Sequence, residues 1–118
     1  MVSSELISEI GKRYEALTQT SIELGKYSGL LFDVAFEITT AETFVAGVAT
    51  KIIDHSRLTA EDRLIVGRPF MLEGRWWKCN SGGVFDLGEH PEISRAAVAI
   101  EELRATCERA LNLKSKPH

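Results

Sequence analysis

The sequence predicts an α+β fold: an N-terminal helix, a four- or five-stranded antiparallel sheet that can curl toward a barrel, and a C-terminal helix. Three observations carry this reading. Apolar residues near both ends recur at alternating three- and four-residue steps. Residues 30–39 alternate apolar and polar with a period of two. A run punctuated by Gly67, Pro69 and Gly74 separates short apolar stretches and places a hairpin near 70–79.

Ser3 or Ser4 can cap the first helix, with Glu5 in the first turn where the helix dipole favours an anion. Its stripe is Ile7, Ile10, Tyr14, Leu17, Ser21 and Leu24, and Gly25 ends it. The stretch LLFDVAFEIT then puts Leu30, Phe32, Val34, Phe36 and Ile38 on one face if it is extended. A helix would scatter Phe32 and Phe36 away from Val34 and Ile38, so a half-buried strand is the better fit.

Residues 43–53 admit two readings. Phe44, Val45, Val48, Ala49, Ile52 and Ile53 make a helical stripe, yet β-branched residues are frequent and Gly47 sits mid-segment. Strand is preferred, with Gly47 at a bulge. Leu64–Val66 reads as a short strand, with Pro69 at a strand start or edge. Phe70–Leu72 and Arg75–Cys79 flank Glu73-Gly74 as the hairpin, and Asn80–Gly83 reads as a loop. Residues 84–92 are irregular or one last short strand. Pro91 suits the first turn of a helix over about 92–112, striped by Ile93, Ala96, Ile100, Leu103, Cys107 and Ala110. With no repeat or linker, residues 1–118 read as one domain with a frayed tail over about 113–118.

The 118 residues are 44% apolar and 26% charged with a formal net charge of −3, which is globular and offers no chain-wide basic field for nucleic acid. No apolar run approaches the roughly 20 residues that span a bilayer. The opening MVSSELISEIGKR patterns as an amphipathic helix rather than a leader, so the expectation is a cytoplasmic protein with reduced thiols.

Neighbouring residues on a strand face opposite ways, so Trp76 and Trp77 cannot enter one core together. Trp76 shares a face with Lys78, which makes it the outer residue and Trp77 the buried one. Trp76, Lys78, Arg75 and Arg68 are therefore the interface candidates. Charge supports a local surface: residues 57–78 carry Arg57, Arg63, Arg68, Arg75 and Lys78 against Glu61, Asp62 and Glu73, whereas residues 84–108 are mostly acidic. Phe32, Phe36, Phe70, Trp77 and Phe85 are the candidates for an apolar pocket.

Catalytic patterns are thin. Asp33 and Glu37 would lie roughly 13 Å apart along a strand, too far to share a proton. Asp54-His55-Ser56 holds the residue types of a hydrolase triad, but adjacent side chains diverge. Cys79, His90 and Cys107 match no zinc spacing, and Asn80–Gly83 lacks the ending of a phosphate loop. The expectation is a non-catalytic module that binds a protein partner or itself, with no cofactor, metal or membrane. A small apolar-ligand carrier is the first alternative. An enzyme whose site forms across a subunit boundary from Asp33, Glu37, His55, His90 or Cys79 is the second.

Overall fold

The computed structural model describes residues 3–24, 30–69, 71, 75–79 and 83–115, with side chains over 3–17, 34–69, 71, 75–79 and 83–112. The chain is mostly helical, and the expected four- or five-stranded sheet is not its architecture. Four α-helices are described: α1 (Ser4–Leu24), α2 (Leu30–Ile53), α3 (Ala60–Gly67) and α4 (Pro91–Ser115). Two three-residue strands, β1 (Trp76–Lys78) and β2 (Val84–Asp86), pair antiparallel, and a 3-10 turn (Leu87–Glu89) leads into α4.

The terminal helices lie where the sequence places them. The Ser3 hydroxyl accepts from the Leu6 amide, which caps α1. All six stripe residues of α4, from Ile93 to Ala110, are buried. This helix packs against α1, α2 and α3, so its stripe forms the centre of the core. Ion pairs Arg13–Glu102 and Arg109–Glu9 tie α1 to α4 along their exposed edge.

The middle of the chain is where the sequence reading fails. The segments expected as two strands, 30–39 and 43–53, form the single 24-residue helix α2. Val34, Ile38, Val45, Val48 and Ile52 are buried and Ala41 is partly buried, so the apolar steps alternate between four and three from Val34 to Ile52. Val34 and Ile38 are four apart, which fits both periods; Phe36 alone separates them, and it faces solvent. Four threonines of α2 satisfy their hydroxyls on the carbonyl four residues back: Thr39 on Ala35, Thr40 on Phe36, Thr43 on Thr39 and Thr50 on Ala46. Gly47 marks no bulge; it sits exposed within the helix, and a Cβ there would meet nothing within 4 Å.

α2 ends at a Schellman turn. His55 is left-handed at φ 57°, its amide donates to the Ile52 carbonyl, and the Ser56 amide donates to the Lys51 carbonyl. Residues 64–66, expected as a strand, belong to α3. A capping box starts this helix: the Thr59 hydroxyl accepts from the Asp62 amide at 3.0 Å, and the Asp62 carboxylate accepts from the Thr59 amide at 2.9 Å. Lys51 Nζ reaches the same carboxylate oxygen at 2.7 Å.

What remains of the sheet is centred on Trp77. It pairs with Phe85 of β2 and, through an isolated bridge on the other side, with Met71. Residues 70 and 72–74, which include the turn expected at Glu73-Gly74, lie outside the described residues.

Candidate functional site

The strand 76–78 parts the two tryptophans. Trp77 is 4% exposed and packs with Met71 and Leu87 in the core, worth roughly 2–3 kcal/mol in apolar burial. Trp76 is half-buried on the other face, under the Arg75 guanidinium at 4.9 Å from the ring centroid. That guanidinium also forks onto Asp86, with Nη2–Oδ2 at 2.6 Å and Nε–Oδ1 at 3.1 Å. The hydrogen bonds from Arg75 hold the Asp86 carboxyl below the usual carboxylate range, and the Gly88 amide adds to the effect. Arg75 and Trp76 are thus engaged with each other and with Asp86 inside the molecule.

The exposed aromatic surface lies instead on α2. Phe36 is 62% exposed and Phe44 is 52% exposed, although Val34, Ile38, Val45, Val48 and Ile52 of the same helix are buried. With Thr40 between them, they follow an i, i+4, i+8 row, so both rings stand on one side about 12 Å apart along the axis. Beside them opens a groove of about 300 Å³ lined by Phe36, Glu37, Thr40, Ala41, Phe44, Trp77 and Lys78. Apolar rings and the Ala41 methyl line it, with an anion and a cation also present. Val84, paired with Lys78 across the hairpin, is a further exposed apolar residue.

This groove joins Phe36, Trp77 and Lys78, three residues the sequence reading had divided between an interface and a pocket. Phe85 stacks on His90 with centroids 5.3 Å apart and does not line the groove. Arg68 is exposed at the end of α3. Phe70 and the Phe32 side chain lie outside what is described. Phe44 was missed as a site residue, although its i+8 spacing from Phe36 is legible once the segment is read as a helix.

Two of the patterns weighed for chemistry, Asp54-His55-Ser56 and Cys107, take structural places. Asp54-His55-Ser56 is the cap of α2. Residues 33 and 37 stand one helical turn apart, about 6 Å of rise, not 13 Å; the Asp33 side chain is outside the described residues. Cys107 is fully buried on α4, and burial pushes its thiol up to about 12, which leaves it un-ionised and unreactive at neutral pH. No cluster of three or more His, Cys, Asp or Glu poised to hold a metal occurs among the described residues. None of the described helices is long and apolar enough to cross a membrane.

Comparison with protein-family models finds no match, and neither curated proteins nor solved structures provide one.

Proposed function

We propose that the chain is a non-catalytic interaction module and that the α2 groove docks a second copy of the same chain. The observation that carries this is the pair of outward phenylalanines, Phe36 and Phe44, on a helix that otherwise sorts its large apolar residues inward. Contiguous exposed aromatic surface beside a groove marks an interaction site rather than chance exposure.

Self-pairing is favoured by the composition of the groove. A two-fold interface requires one patch to complement itself, so each residue meets a different residue of the partner and the reverse. Glu37 and Lys78 supply both signs within one lining. Antiparallel α2 helices would seat each Phe36 ring against the partner's Phe44 and bring Glu37 toward the partner's Lys78. Gly47, exposed about three turns beyond Phe36 on the same side, leaves room for a close backbone approach.

Sedimentation equilibrium tests the proposal. The wild-type chain is expected to form a concentration-dependent dimer, and Phe36→Ala with Phe44→Ala to leave a monomer of unchanged fold. Charge reversal at Glu37 or at Lys78 alone should weaken the dimer, and reversing both should restore it. A wild-type chain that stays monomeric throughout, or a double alanine variant that still dimerises, overturns the reading.

A further inference from the structure

A second surface, on α3, carries a different chemistry. Leu64 is 73% exposed, more than any other large apolar residue among those described. It shares a shallow cavity of about 350 Å³ with Arg63, Gly67 and Arg68. Neither arginine engages an acidic side chain among the described residues. Elsewhere Arg13, Arg75, Arg104 and Arg109 are each spent on an intramolecular carboxylate. A third arginine without such a partner, Arg57, is exposed in the loop that leads into α3.

The helix dipole explains Arg68 at the C-terminal end but not Arg63, which sits in the N-terminal half where a cation is disfavoured. The platform is rigid. Its start is locked by Thr59, Asp62 and Lys51. Its last turn is pinned where buried Arg104 of α4 donates to the Val66 carbonyl. Burial works against the Arg104 charge, but the hydrogen bonds and field of Glu101, with Glu108 behind, outweigh it and hold the guanidinium charged. A surface fixed at both ends loses little entropy on binding.

We infer that α3 is a docking site for an acidic protein segment that presents an apolar side chain to Leu64 between carboxylates facing Arg63 and Arg68. Charge complementarity selects the acidic flanks, and arginine pairs carboxylates in a fixed two-pronged geometry. The leucine selects protein over nucleic acid, since a phosphate backbone gains nothing from an aliphatic centre. This surface is separate from the α2 groove and does not depend on it.

The experiment is an amide-resonance titration of the full chain with three probes. They are a short synthetic peptide carrying one leucine between pairs of glutamates, the same peptide with lysine for glutamate, and a short oligothymidylate. The acidic peptide is expected to shift amide resonances of residues 60–68 and not those of 36–44, with affinity falling as salt is raised. Arg63→Glu with Arg68→Glu should abolish the shifts. Leu64→Ser should weaken binding by about tenfold, the scale of burying part of one leucine; all of these positions are exposed, and unchanged melting confirms the fold. The proposal is overturned if the acidic peptide causes no shifts there, if Leu64→Ser binds as well as wild type, if the lysine peptide binds equally, or if only the oligonucleotide shifts these residues.

Discussion

At position 36 the chain turns a phenylalanine to water, and that choice misleads a reading by hydrophobic pattern. Pattern reading assumes large apolar residues point inward. Phe36 does not, so the alternation with Val34 and Ile38 looked like a strand when only Val34 and Ile38 belong to the core. A helix does separate Phe36 from those neighbours, and the core takes Val34 and Ile38 without it. Two other single positions depart from their local optimum. Gly47 weakens a helix interior relative to alanine, and His55 holds a left-handed backbone that favours glycine. Gly47→Ala and His55→Gly are each expected to stabilise the fold by about 0.5–1 kcal/mol. Urea denaturation in the Phe36/Phe44 double alanine background reads this without a contribution from association.

At the scale of elements, α3 shows how a short cap can outweigh a β-rich run. Leu64-Ile65-Val66 has strand character, but Thr59-Ala60-Glu61-Asp62 carries the signature of a capping box immediately before it. That signal is legible in the sequence and outranks the β-branched run. Asp62 joins the cap to α2: the hydrogen bond from Lys51 and then that from the Thr59 amide hold its carboxyl below the usual value, against a smaller opposing effect of burial. A carboxyl lowered on folding adds stability above its unfolded pKa, near about 4, and loses it as the pH falls through the folded value. Asp62→Asn should therefore lower the denaturation midpoint at pH 7, and the gap from wild type should close as the pH is taken below about 4. A gap that stays constant on acidification would mean that the Asp62 charge contributes nothing. Removing the other pin, Arg104→Ala, leaves Glu101 without its counterion and should cost roughly 3 kcal/mol. Hydrogen exchange should show α3 amides losing protection first.

At the scale of the molecule, α2 and α4 span about 36 Å each, more than the 27 and 21 Å of the two shorter dimensions, so both run along the 47 Å axis. That leaves the outer side of α2 as a long face with none of the described helices over Phe36 and Phe44. If a second copy covers it, dimer formation stabilises the native state by mass action. The melting temperature of the wild type should then rise with protein concentration, and that of Phe36→Ala/Phe44→Ala should not. Equal slopes for the two proteins would count against the groove as the association face.

The two terminal helices and the extended pair Trp76-Trp77 could both be read from residue order alone. Each rests on contacts or periodicities within a few residues, where three-four stepping or simple alternation leaves one reading. Helix α2, by contrast, was decided by the tertiary structure. Over residues 30–53 both periods were available locally. The long apolar stripe of α4 supplied a partner for the buried face of one continuous 24-residue helix. Burying Val34, Ile38, Val45, Val48 and Ile52 together outweighs the modest helix penalty of the threonines and Gly47, and leaves Phe36 and Phe44 outside.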